Sequence, residues 1–118
     1  MAAILYVCTT CKSGEITSEG AALPGARLFA ALLDIPLPEG VRMVPVACLS
    51  ACSQGAAVAL QGAGKWGYVY GRLSESDATD IIAGARAYAA SPDGLVPWRE
   101  RPTIFRKQSL ARIPPMEP

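Results

Sequence analysis

Two short apolar runs, Ala3-Ile4-Leu5-Tyr6-Val7 and Val41 to Ala47, each lead directly into a cysteine, and each cysteine has a second one close behind it. Cys8 and Cys11 form a C-x2-C pair, Cys48 and Cys52 a C-x3-C pair. The first run is continuous and rich in β-branched and aromatic side chains, which predicts a short strand buried on both faces. The second sets Val44 and Val46 on one face and Met43 and Pro45 on the other, and its proline favours an edge position. Between them Pro24 suits the first turn of a helix, with Leu28, Phe29, Leu32 and Leu33 recurring on one side. Ile35-Pro36-Leu37-Pro38 ends that helix, because proline restricts the preceding residue and lacks the N–H a helix needs. A strand, helix and strand in this order form a crossover unit with parallel strands, whose C-terminal ends share one edge of the sheet. Four thiols therefore converge on that edge.

The remainder extends the same sheet. Ala56 to Leu60, the turn Gln61-Gly62-Ala63-Gly64 and Lys65 to Tyr70 read as a hairpin. The stretch Gly62-Ala63-Gly64-Lys65 lacks the flanking residues of a phosphate-binding loop and is more simply that turn. Trp66, Tyr68 and Tyr70 alternate onto one face, which suits core or interface packing. Ser74 followed by Asp77 approximates a capping box, and Ala78, Ile81, Ile82, Ala85, Tyr88 and Ala89 keep one helical face to about Ala90. Ser91-Pro92-Asp93-Gly94 stops it. The expected fold class is α/β and thioredoxin-like, a mixed four-stranded sheet with two main helices over residues 1–94 and an extended C-terminal tail over residues 95–118. That tail is rich in proline and locally basic, with Arg99, Arg101, Arg106, Lys107 and Arg112 against Glu100. It is expected to pack Trp98, Ile104, Phe105 and Leu110 back on the domain and leave its cations in water, with a docking surface for an acidic partner as the alternative.

Composition then removes most chemistries. The chain has 118 residues, 51% hydrophobic, with eleven Lys and Arg against ten Asp and Glu. The resulting net charge of +1 argues against nucleic acid as a partner. No run approaches the ~20 apolar residues of a membrane span, and no basic segment precedes the first strand as in an export signal. The expected location is cytoplasmic, with no membrane partner, and in that reducing setting paired cysteines are metal ligands or catalysts more often than disulfides. There is no histidine. This excludes Ser-His-Asp and Cys-His catalysis, His-ligated zinc and axial-His haem, and no paired carboxylates suggest acid-base work. The chain is expected not to be an enzyme.

What remains is the cysteine set. A tetrahedral metal with ~2.3 Å bonds to sulfur needs sulfurs roughly 3.8 Å apart, a separation that two or three intervening residues in a turning loop allow. Two such pairs can hold one zinc on four thiolates, or give each iron of a [2Fe-2S] cluster two thiolates. Spacing does not choose between them. Cys8-Thr9-Thr10-Cys11 also reads as a dithiol redox motif, although such motifs normally sit at a helix N-terminus and the first helix here starts well beyond Lys12. Four small buried residues without chemistry are the remaining alternative.

The block Ala47-Cys48-Leu49-Ser50-Ala51-Cys52-Ser53-Gln54-Gly55-Ala56, followed by an apolar strand, the strand Trp66 to Gly71 and a Ser-Glu-x-Asp helix start, closely resembles the second half of thioredoxin-like [2Fe-2S] ferredoxins. The opening Leu5 to Cys11, the helix start Pro24-Gly25-Ala26-Arg27-Leu28 and the tail Pro97-Trp98-Arg99-Glu100-Arg101-Pro102 look like a bacterial branch known as predicted metal-binding proteins. Two positions depart from the pattern: only Thr9 and Thr10 separate the first two cysteines where typical members have a longer loop, and Ala56 stands where proline is common. The resemblance implies a one-electron carrier with a [2Fe-2S] cluster, Cys8 and Cys11 on one iron and Cys48 and Cys52 on the other, and redox proteins as partners. It implies a homodimer as well, for which a sheet face bearing Trp66 and Tyr68 would serve. The rival is a four-thiolate zinc or other metal-binding module, structural or metal-trafficking, since some relatives of that branch are associated with cobalamin biosynthesis. A C-x2-C thiol-disulfide oxidoreductase is the third reading.

Overall fold

The computed structural model describes residues 3–9, 23–49 and 56–116. In chain order they form β1 (Ala3–Cys8), α1 (Pro24–Leu33), β2 (Val41–Val46), β3 (Ala56–Gln61), β4 (Gly67–Leu73), α2 (Ala78–Ala90), α3 (Thr103–Lys107) and β5 (Ser109–Ile113). The strands make one mixed sheet in the order β2-β1-β3-β4-β5, with β1 and β2 parallel and the other neighbours antiparallel. The sheet thus has five strands among the described residues where four were expected. The tail supplies the fifth: Ser109 to Ile113 pairs with β4, with Gly67 opposite Ile113 and Tyr70 opposite Ser109.

Alternation along the strands separates two faces. Leu5, Val7, Val58, Leu60, Tyr68 and Tyr70 join Leu28 and Leu32 of α1 and Ile81, Ile82, Ala85 and Tyr88 of α2 in one buried cluster. Both helices therefore cover the same face. On the other face Ile4, Tyr6, Val44 and Val69 are only half-buried. The expectation that β1 is buried on both faces is corrected accordingly: its end is enclosed, but among the described residues no helix lies above Ile4 and Tyr6. Pro45 does mark an edge, since β2 has a neighbour on one side only. Alanine-rich β3 is buried from Ala56 to Leu60, because its place between β1 and β4 outweighs poor intrinsic propensity.

The helix boundaries follow local chemistry. Pro24 opens α1 with its missing N–H at a position where no helical bond is lost. Leu28 and Leu32 are fully buried, but Leu33 is 61% exposed, so the apolar stripe is narrower than its spacing predicts. At the start of the second helical segment the Asp77 carboxylate accepts the Ser74 backbone N–H at 2.9 Å and the Ser74 hydroxyl at 3.4 Å. At its far end Lys65 Nζ donates to the carbonyls of Tyr88 and Ala89, at 3.1 and 2.8 Å, supplementing the Ser91 N–H that the Tyr88 carbonyl also accepts at 3.1 Å. Lys65 is thus a helix clasp, consistent with a turn and not a phosphate loop.

Tyr68 and Tyr70 are each 4% exposed and stack with ring centroids 5.7 Å apart, while Tyr88 meets Tyr68 edge-on at 6.4 Å. Core packing is therefore their role, and Tyr68 is not available as an interface residue for a second copy. The Tyr88 hydroxyl donates to the Trp66 carbonyl at 2.5 Å, and Trp66 N–H to the Asp93 carbonyl at 2.9 Å. Burial pushes the Tyr88 phenol from 10.0 up to about 12, and neighbouring Tyr68 adds to the shift. Below the unfolded value both states keep the proton, so stability is unaffected there. As pH rises from that value through the folded one, the unfolded chain ionises first and stability falls. Tyr88→Phe is expected to cost about 1 kcal/mol at neutral pH through the lost hydrogen bond. It should also flatten the alkaline loss between pH 10 and about 12, read from urea midpoints across that window. Equal alkaline slopes in both proteins would contradict this assignment.

Candidate metal centre

β1 delivers Cys8 at its last position, on the face opposite to Leu5 and Val7. The side chain is 2% exposed and packs against Ala57, itself 1% exposed, and Leu49. Its thiol points toward the Ala47 carbonyl at 3.8 Å, a weak contact. Thr9 fixes the chain just beyond it, since its backbone N–H and its hydroxyl both donate to the Val46 carbonyl, at 2.9 and 3.1 Å.

Cys8 stands in register with Val46, the last residue of β2, and Cys48 follows two residues later in an exposed position. β1 and β2 are parallel neighbours, so both cysteines lie at the same end of the sheet. One cysteine from each pair thus lies at this end of the sheet. Cys11 and Cys52 lie outside the described residues. Among the described residues no three Cys, His, Asp or Glu side chains group together. The soft, all-sulfur character of Cys8 and Cys48, and the apolar Ala57 and Leu49 beside the buried one, fit a thiolate-held metal or iron-sulfur cluster.

The same edge carries helix starts. α1 begins there at Pro24, and the turn Glu75–Asp77 that opens α2 begins there after β4, with Arg27 Nε bonded to Glu75 Oε1 at 3.1 Å between the two. From Cys48 and Leu49 a groove of about 330 Å³ crosses the helix-free face past Tyr6 and Val46 to Val69 and Ile113. Sequence reasoning missed Ala57 and Thr9 as parts of this surrounding. Ala57 was signalled by its period-two relation to Ala59 on that face; Thr9 carried no local signal, because its partner lies on β2.

The mixed sheet with α1 and α2 on one face has a thioredoxin-like fold, by its likeness to a solved structure. A solved thioredoxin-like [2Fe-2S] ferredoxin from Aquifex aeolicus superposes on 98% of this chain and 97% of its own, with a TM-score of 0.58 and 16% identity. That likeness is one of fold. The chain belongs to the family described as a protein of unknown function, DUF1636, whose model matches residues 5–115. No curated protein matches the chain.

Proposed function

We propose that the protein is a small one-electron carrier holding a [2Fe-2S] cluster on Cys8, Cys11, Cys48 and Cys52, the first pair on one iron and the second on the other. The observation that carries this is that Cys8 ends β1 and Cys48 follows two residues after its parallel neighbour β2, at the same end of the sheet, in a fold similar to that of a thioredoxin-like [2Fe-2S] ferredoxin. When bound, such a cluster takes up and releases single electrons. The chain's own part is to hold and bias it. Cys8 supplies a sulfur shielded from water and Cys48 one reachable from solvent. No bond-making step is assigned to any residue, and redox proteins are the partners. No helix among the described residues is long and apolar enough to cross a membrane; we assign the protein to the cytoplasm on its thiol chemistry.

Anaerobic purification tests the proposal. A brown protein bleached by dithionite, with iron and acid-labile sulfide in equal amounts, is the expected result. Colourless protein with stoichiometric zinc would overturn it in favour of the zinc module. So would metal-free protein with a reversible Cys8–Cys11 disulfide, in favour of the oxidoreductase.

A further inference from the structure

The segment after Leu95 is a built element, not a solvated tail. Phe105 of α3 is 3% exposed and stacks on Tyr70 with ring centroids 3.9 Å apart. Two guanidinium groups brace the backbone around it: Arg101 Nε donates to the Val96 carbonyl at 2.7 Å, and Arg106 donates to the carbonyls of Trp98 and Arg99 at 2.9 and 3.2 Å. Trp98 nevertheless stays 59% exposed, contrary to its expected packing on the domain, with the Arg101 guanidinium 5.5 Å from its ring. Arg99, Lys107 and Arg112 are exposed around this frame, Arg112 lying over Trp66 at 4.7 Å. A rigid frame that displays an indole among cations has the make-up of an interaction hot spot, where Trp and Arg dominate.

Charge selects the partner. Of the eleven Lys and Arg, five fall between Arg99 and Arg112, while only Glu100 and Glu117 of the ten acids lie beyond Leu95. The preceding chain therefore holds eight acids against six cations and is net acidic. A long polyanion such as nucleic acid would be repelled by that remainder, whereas a small acidic footprint would not. α3 has five residues, too short for an amphipathic membrane anchor. Gly71 N–H bonds to the Gln108 carbonyl at 3.0 Å, so the Lys107 end of the frame lies at the edge of the sheet where Cys8 and Cys48 emerge.

We propose that the outward surface formed by Trp98, Arg99, Lys107 and Arg112 docks an acidic protein surface, with carboxylates on the cations around an apolar contact to Trp98. The docking itself stands on the frame alone; its service to electron transfer rests on the proposed function. The test uses full-length protein, metal-free and as purified, with a twelve-residue Asp/Glu peptide containing one central Leu as probe. Amide and indole chemical shifts of labelled protein should move at residues 98–112 and saturate, with affinity falling about tenfold when salt rises from ~20 to ~200 mM. Arg99→Glu/Lys107→Glu/Arg112→Glu should abolish the shifts, and Trp98→Ala should weaken binding several-fold, both variants keeping the parent's metal content. Shifts confined to another surface, unchanged binding by the triple variant, or tighter binding to single-stranded DNA or to anionic lipid vesicles would each overturn the proposal. Because metal-free protein is included, loss of the cluster reading leaves this result interpretable.

Discussion

Cys48→Ala is expected to yield protein that folds but holds no cluster, with iron per chain reduced tenfold or more relative to the parent after identical anaerobic purification. Its iron would keep a single thiolate, and a neighbouring water is a poor substitute for sulfur in holding iron. The fold should survive, because Cys48 is exposed and contributes little to packing. Exposed substitutions of this kind typically change stability by no more than ~0.5 kcal/mol. Cys8→Ala should differ in one respect. Its sulfur is buried against Ala57 and Leu49, so its removal adds about 1 kcal/mol of lost packing, measurable in metal-free protein by urea unfolding. The pair of variants thus separates ligation from burial. A fully occupied, parent-like cluster in Cys48→Ala would refute the ligand assignment.

Gly84→Ala is expected to destabilise the protein by roughly 2 kcal/mol, although alanine in a helix interior ordinarily gains ~1 kcal/mol over glycine. Gly84 lies on the buried side of α2, and a methyl group there would overlap the edge of the Phe105 ring. The ring has little freedom to slide, since its other face is stacked on Tyr70. It must leave the notch, loosening α3 and the braces at Arg101 and Arg106. The melting temperature should fall by roughly 5–10 °C. In a double-mutant cycle, Phe105→Leu should cost less in the Gly84→Ala background than in the parent. A rise in melting temperature for Gly84→Ala would show that the notch does not hold Phe105.

Where sequence reasoning reached the structure, a local signal agreed with the long-range outcome. Pro24 and Pro36 bracket α1, Pro45 sits on an edge strand, and the pattern from Ala78 to Tyr88 becomes the buried side of α2. Cys8 and Cys48 were placed at neighbouring strand ends because parallel pairing follows from the crossover alone. β5 was missed because Ser109-Leu110-Ala111-Arg112-Ile113 has little strand propensity, lies beside prolines and stays largely exposed. Its pairing is decided by the free edge of β4. Leu33 and Trp98 were expected inside because apolar character is visible in a sequence, whereas the limit of the surface that could cover them is not. Trp66 to Tyr70 gave the right alternation, and only the position of α2 showed which face it was.

Val7 and Cys8 are consecutive and both buried, yet they belong to separate clusters on opposite sides of the sheet. The pleat insulates one from the other. Mutations that exchange the bound group, or abandon it, would act on one side of β1 without asking Leu5, Val7 or the helices to repack. A lineage built on this strand can therefore change its chemistry while inheriting its fold intact, and the two can be engineered as independent layers.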